Sequence, residues 1–391
     1  MASIWRTLER QAHRPEPFRI RIPSATLFDL RARLARTRWP DEIKDAGWDY
    51  GTRLGFLQDL LAYWRVGFDW RDRESELNRL PHFRFQIDGS RLHFLHVRAR
   101  DASALPIILT HGWPSTFYEM WRLAPMLAHP EDFGGDARDA FHVVVPSLPG
   151  CGFSDIPRQR GMTKTRIAGL SAVLMEALGY ERFGARGGDI GAGVTAWLGI
   201  DYPHRVVGIH VSDVLRPALP PGATLSEDER RFLAREKAWM EAEGAYDHIQ
   251  ATKPQTLAYG LNDSPAGLAA WIVEKYRSWS DCGGDILKRF SMDDLLTHLT
   301  IYWATQTINA ANRLYFERDR QQRFLAPGQR VEVPCAVAIF PGDIDRPPRE
   351  WGERAYRIER WTEMPRGGHF AAWEEPELLA RDIREFFRPL R

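Results

Sequence analysis

The stretch Phe183-Gly184-Ala185-Arg186-Gly187-Gly188-Asp189-Ile190-Gly191-Ala192-Gly193 decides how the rest of the chain is read. A short apolar run, predicted as a strand over 183–186, leads into Gly187-x-Asp189-x-Gly191, and the small residues that follow suit a closely packed helix. Glycines on either side of a central side chain permit a sharp strand-to-helix turn that lifts that side chain out of the sheet. Serine is the familiar residue at such a turn, and aspartate changes the chemistry. A carboxylate is a poor attacker of carbonyls but can displace a leaving group from saturated carbon, forming an ester. Taken alone, Asp189 also fits the ordinary role of a residue that caps the helix after it.

Outward from this turn, short apolar runs at 106–110, 142–146, 206–211 and 335–340 alternate with helical patterns. Such alternation predicts a mostly parallel sheet covered by helices on both faces. Ligands bind such sheets beyond the carboxyl ends of the strands, so the residues after each run carry the most information. They are His111-Gly112-Trp113-Pro114, Ser147-Leu148-Pro149-Gly150-Cys151-Gly152-Phe153-Ser154-Asp155, Gly187-Gly188-Asp189 and Pro341-Gly342-Asp343, with Gly367-Gly368-His369-Phe370 near the end. Asp189, Asp343 and His369 follow the order nucleophile, acid, histidine, which is that of the α/β-hydrolase triad. The expected fold class is therefore α/β, an α/β-hydrolase fold, with the main-chain N–H groups of Trp113 and Ile190 forming the oxyanion hole. Each residue alone has a plainer reading: Asp343 as a turn residue with Asp345 as rival for the acid role, and His369 as a core or surface histidine.

At 391 residues the chain exceeds what one core usually supports, so appendages to the catalytic unit are expected. Residues 1–100 form a predicted N-terminal region of helices and a hairpin leading into the sheet. The catalytic unit is assigned to 101–214 and 321–391, and 215–320, helical in period throughout, to an inserted cap. Within the first region a helix is predicted over 24–39 with Ser24 as its cap, and a second over 54–70. The cluster Trp48-Asp49-Tyr50-Gly51 is read as packing surface. Phe83 to Ile87, Asp88-Gly89 and Leu92 to Val97 form a hairpin pattern.

Composition narrows the partners. With 53 Lys plus Arg against 52 Asp plus Glu, nothing steers the chain toward nucleic acid or an anionic membrane. Cys151, Cys282 and Cys335 are odd in number and far apart, which disfavours a disulfide framework or a zinc site and suits a cytoplasmic setting. Met1 to Pro17 is polar and basic, without the apolar run of a signal peptide or membrane anchor. No cofactor and no metal are expected, and a homo-oligomer is compatible with the sequence.

The chain resembles the microsomal-type epoxide hydrolases, including insect juvenile-hormone epoxide hydrolases and soluble bacterial members, from near Pro17 to its end. The resemblance is carried by His111-Gly112-Trp113-Pro114, Phe117-Tyr118-Glu119, Gly187-Gly188-Asp189, His248-Ile249-Gln250, Leu261-Asn262-Asp263-Ser264-Pro265 and Gly367-Gly368-His369-Phe370-Ala371-Ala372. It implies hydrolysis of an epoxide by water to a vicinal diol, in detoxification or natural-product metabolism. It also implies two cap tyrosines on the epoxide oxygen, at Tyr246 and Tyr315, and the apolar, aromatic cap suggests a lipophilic or aromatic substrate. Many such relatives carry Trp where this chain has Ile190, which alters the pocket wall beside the nucleophile.

Three other readings remain open at this level. A haloalkane dehalogenase also uses an aspartate elbow, but needs halide-binding donors rather than two acidic hydroxyls. Gly191-Ala192-Gly193-Val194-Thr195-Ala196 satisfies a dinucleotide fingerprint, with Asp213 at a plausible distance for a ribose, so an NAD(P)-binding oxidoreductase is the second. A noncatalytic binding protein on the same fold is the third.

Overall fold

The computed structural model describes residues 14–320 and 323–391. The start of the N-terminal segment, residues 1–13, and residues 321–322, at the predicted return from cap to sheet, lie outside the described residues.

A nine-stranded sheet organises the chain in the order β1-β2-β3-β5-β4-β6-β7-β8-β9. β1 (Glu16–Phe18), β2 (His82–Ile87) and β3 (Ser90–Val97) are antiparallel; β4 (Leu105–Thr110), β5 (Phe141–Pro146), β6 (Phe183–Gly187), β7 (Val206–Val211), β8 (Val331–Ile339) and β9 (Tyr356–Glu363) run parallel to one another. β5 and β6 are buried along their whole length, which is why they read as apolar runs without alternation. β9 was not foreseen: its alternation of charged and apolar residues belongs to a half-exposed edge. The β2–β3 hairpin turns on Asp88 and Gly89, with φ of 51° and 71°, the left-handed pair that a two-residue turn of the I′ kind requires.

The N-terminal helices are α1 (Ser24–Ala35), α2 (Leu54–Val66) and α3 (Trp70–Leu77). Two expectations change here. α1 starts with Ser24 as its first turn, Pro23 standing in the cap position, and ends at Ala35 rather than Trp39. The predicted helix over 54–70 breaks at Gly67, so Trp70 opens α3 under an Asp69 cap. In the aromatic cluster, Trp48 packs on Phe56 while Tyr50 is 83% exposed, so only part of it is packing surface.

The sheet is flanked by α4 (Leu123–Ala128), α5 (Lys164–Ala177), α6 (Ile190–Asp201) and, after the helical segment, α13 (Arg349–Glu353), α14 (Ala371–Glu374) and α15 (Pro376–Phe387). Ile209 of β7 lies against Gly199 of α6, whereas its neighbour Gly208 lies against Phe386 of α15, so these two helices cover opposite faces. Between β7 and β8 come α7 (Glu227–Glu243), α8 (Ala245–Thr252), α9 (Pro254–Asp263), α10 (Pro265–Trp279), α11 (Met292–Thr305) and α12 (Ile308–Arg318). Ser226 and Glu229 form a capping box for α7, and Pro254 and Pro265 open the first turns of α9 and α10. The N-terminal helices are bonded to this layer: Trp64 of α2 donates to Thr300 of α11 at 2.9 Å, and Arg33 of α1 pairs with Asp263 at 2.7 Å.

The winding of the sheet reverses between β4 and β6, since β5 lies on one side of β4 and β6 on the other. A crevice at such a reversal is where doubly wound sheets bind ligands. Here it falls between Thr110, which leads to Trp113, and Gly187, which leads to Asp189.

Candidate active site

Asp189 occupies the turn between β6 and α6 with φ 51° and ψ −125°, a strained backbone for a residue with a side chain. The flanking glycines serve a different need from the positive φ. A Cβ on Gly187 would stand 2.1 Å from the Gly191 carbonyl oxygen, and one on Gly191 would stand 2.1 Å from that of Thr110. The turn therefore closes only with hydrogen at both positions. Asp189 sits where a cap would sit, yet its side chain makes no capping bond. Its Oδ1 instead accepts the main-chain N–H of Trp113 at 2.8 Å. Gly112 allows that approach, since a Cβ there would lie 2.3 Å from Oδ1. Ile190 follows as the first residue of α6, and its N–H makes no hydrogen bond to the carboxylate in this geometry.

Asp343 lies just past β8, and its Oδ1 accepts from Nδ1 of His369 at 2.8 Å. That bond turns Nε2 of the imidazole toward Asp189, 4.0 Å from Oδ2. Asp345, the rival acid, reaches instead toward the N–H of Val214 at 3.4 Å. Gly368, before the histidine, packs so closely that a Cβ would lie 2.7 Å from the Asp281 nitrogen, and His369 N–H donates to Trp279 O at 2.9 Å. Burial disfavours the charged imidazole, but Asp343, then Asp213 and Asp189, outweigh it and push its pKa up to about 10.

Tyr246 on α8 and Tyr315 on α12 are both buried. The Tyr246 ring stacks on Trp113 at 5.2 Å and 8°, and Tyr315 meets the same indole edge-on at 5.7 Å. The two tyrosines are 5.9 Å apart, and Trp279 lies 5.0 Å from Tyr246 and 5.2 Å from His369. Trp113 thus holds Asp189 through its main chain and both tyrosines through its ring, and its Nε1 donates to Asn312 of α12 at 3.0 Å. Burial, reinforced in Tyr246 by the charge of Asp189, raises both phenols above their ordinary range, so they are hydrogen-bond donors.

Asp189, Tyr315, Leu314, Lys164 and Arg318 line a cavity of about 50 Å³, and a second, of about 510 Å³, reaches Asp189 past Asp213 and Trp197. A larger cleft, about 690 Å³ beside Arg84 and Arg158, touches none of these groups. Chemistry rather than size therefore identifies the site. Three of its residues were not anticipated in these positions: Lys164, Arg318 and Asp213. From sequence alone Asp213 reads only as a ribose contact. It accepts the main-chain N–H of Asp189 at 2.5 Å, and its place just beyond the carboxyl end of β7 was the signal that could have found it. The dinucleotide glycines lie inside buried α6, where a Cβ on Gly193 would meet the Lys164 side chain at 2.4 Å, so close packing accounts for them.

Comparison with known proteins follows the same lines. The family described as epoxide hydrolase N terminus matches residues 15–120, and that described as alpha/beta hydrolase fold matches residues 106–256. Epoxide hydrolase 1 of Sus scrofa is 35% identical over 400 residues, spanning 95% of this chain and 88% of that protein. The crystal structure of juvenile hormone epoxide hydrolase from the silkworm Bombyx mori superposes with a TM-score of 0.88 at 28% identity, over 99% of this chain and 97% of that one. The structure of Aspergillus niger epoxide hydrolase gives 0.85 at 29% identity, over 96% and 97%.

Proposed function

The chain belongs to the epoxide hydrolase family of the α/β-hydrolase superfamily, and from that premise we propose that it converts lipophilic epoxides to vicinal diols through an ester on Asp189. Epoxide hydrolysis is the activity of the family. In the first step Oδ2 of Asp189 attacks a ring carbon, the carbon–oxygen bond breaks, and the nascent alkoxide takes its proton from Tyr246 or Tyr315. In the second, His369 removes a proton from water, the hydroxide adds to Cγ of Asp189, and the tetrahedral intermediate collapses. The diol oxygen leaves with the imidazolium proton, Asp189 is left as a carboxylic acid, and the proton it then releases offsets the one that the tyrosinate takes up.

The observation that carries this reading is the division of labour on one carboxylate. Oδ1 is held by the Trp113 N–H at 2.8 Å, while Oδ2 is turned toward Nε2 of His369 at 4.0 Å. The N–H that orients the nucleophile is then in position to stabilise the oxyanion of the second step. Met162, Ile167, Ile190, Leu314 and Tyr315 in the lining of the cavity at Asp189, backed by the aromatic cluster of Trp113, Tyr246 and Trp279, favour an apolar substituent on the epoxide. No helix among the described residues is long and apolar enough to cross a membrane.

The tyrosines are tested in single turnovers with styrene oxide. Loss of one donor to a developing oxyanion lowers rates by about 10²–10³-fold where nothing replaces it. With two phenols facing one oxygen, Tyr246→Phe and Tyr315→Phe are each expected to slow ester formation by up to about 10²-fold, and the double variant to slow it further. Hydrolysis of the ester is expected to change little. A slowed second step with an unchanged first would contradict the assignment.

The base has a pH signature. In the resting enzyme His369 is charged, its pKa pushed up to about 10 by burial-opposed carboxylates. Esterification removes the charge of Asp189, one of the three that raise it, so the pKa falls when a neutral imidazole is required. The rate constant for ester hydrolysis is expected to rise with pH as His369 loses its proton, and to level off below pH 10. An ester that decays fastest in acid would exclude His369 as the base.

A further inference from the structure

We propose that Asp213 is a positioning residue of the second half-reaction: it holds the main chain of the nucleophile and stands beside Asp343 as a second acid for His369. This rests on the two-step mechanism above. Asp213 follows Ser212 after β7, and its two oxygens face different partners. Oδ2 accepts the N–H of Asp189 at 2.5 Å, while Oδ1 lies 4.0 Å from Nδ1 of His369. The same ring nitrogen donates to Asp343 Oδ1 at 2.8 Å. One imidazole N–H therefore faces two carboxylates, bonded to one and within a small ring movement of the other. Asp343 Oδ2 is buried without a hydrogen-bond partner, so its carboxylate is held by this contact and by the N–H of Ile344 on Oδ1.

The groups facing Asp213 are the carboxylates of Asp189, Asp343 and Asp345, the cations of Arg186, Lys164 and His369, and the Tyr356 hydroxyl. Arg186 is anchored beside it through Ser212 at 2.7 Å. Burial, with Asp343 and Asp189, pushes the Asp213 pKa up to about 7, so above neutrality it is a carboxylate. In that form it stabilises the imidazolium that forms when His369 takes a proton from water, as Asp343 does. Asp343, Asp213 and His369 also bring ligand-type atoms within 4.8 Å of one another. The hydrogen bonds just described already engage Asp343 with His369 and Asp213 with the Asp189 N–H.

In a triad with a single acid, Asp→Asn leaves the histidine in the wrong tautomer and lowers kcat by about 10⁴-fold. With a second carboxylate at the same nitrogen, that loss is shared. The experiment is a double-variant cycle on the rate constant for decay of the Asp189 ester, measured in single turnovers with excess enzyme at pH 8.5. Asp343→Asn and Asp213→Asn are each expected to slow decay by about 10-fold, and together by ~10⁴-fold, well beyond the ~10²-fold product of the single effects. Asp213→Asn retains an acceptor for the Asp189 N–H, so it tests charge; it is also expected to move the acid limb of ester hydrolysis to lower pH. If Asp213→Asn gives little protein, Asp213→Ser, which keeps an acceptor without charge, takes its place in the cycle. Effects that merely multiply, or an acid limb that does not move, would overturn the proposal. So would loss of turnover on dialysis against EDTA and its return with a divalent cation, which would assign the cluster to a metal. The ester burst in His369→Gln separates this outcome from failure of the two-step mechanism, in which no burst appears in that variant.

Discussion

Asp189→Ala is expected to abolish diol formation, lowering kcat by about 10⁴–10⁶-fold, the range seen when a covalent nucleophile is removed and only binding and oxyanion contacts remain. No ester can form, so mass spectrometry of the quenched protein should find no adduct on the peptide that spans residue 189. The geometry adds a second expectation. Asp189 holds φ at 51° and shares its surroundings with Asp213 and Asp343, so the nucleophile is kept at a cost to the fold. Asp189→Gly relieves both the backbone strain and one of three crowded carboxylates. It is expected to be inactive yet more stable than wild type, by about 1–3 kcal/mol for the strain alone, offset in part by the unpaired Trp113 N–H. Thermal unfolding of the two proteins side by side checks this. Diol from Asp189→Ala at the wild-type rate would remove the covalent mechanism altogether.

His369→Gln separates the two steps in the opposite sense. The first step asks nothing of the imidazole, because Asp189 attacks and the tyrosines supply the proton. Ester should therefore form in a burst close to one equivalent and then persist, its hydrolysis slowed by about 10²–10⁴-fold, the usual worth of a positioned general base. The adduct should be isolable on the Asp189 peptide from this variant and only fleeting in wild type. A variant that turns over slowly without accumulating ester would mean that His369 acts in ring opening. The 4.0 Å between Nε2 and Oδ2 of Asp189 leaves the imidazole beside the ester rather than bonded to the attacking oxygen.

Some of this architecture was legible in the residues. The apolar runs before Asp189 and Asp343 appear as strands because β6 and the later part of β8 are buried, where sequence shows a plain hydrophobic run. The Gly187-x-Asp189-x-Gly191 turn was legible for a reason that the structure sharpens: the glycines are required because a Cβ would clash, and the positive φ falls on Asp189 itself. Helix ends were less so. Gly67 stops α2 although the apolar spacing runs on to Trp70, and Ser24 enters the first turn instead of capping it because Pro23 holds the cap position.

Tyr246 and Tyr315 could be picked out only by resemblance. What gathers them is a third residue, Trp113, whose ring they share from helices remote in sequence, and no local pattern encodes that meeting. Asp213 shows the opposite failure. Its position after a strand is visible in the sequence, but a nearby glycine run satisfies a dinucleotide pattern and points it toward a ribose instead. Packing of Gly193 on Lys164 explains that run without any nucleotide.

The most direct test of the central claim is a single turnover in ¹⁸O-water with enzyme in excess over styrene oxide, followed by mass spectrometry of both the diol and the Asp189 peptide. The covalent mechanism predicts a diol without ¹⁸O and one ¹⁸O in the carboxylate of Asp189, because water attacks Cγ of the ester and the substrate takes its new oxygen from the protein. An ¹⁸O-labelled diol with an unlabelled Asp189 would mean that water opens the ring directly, and would contradict it.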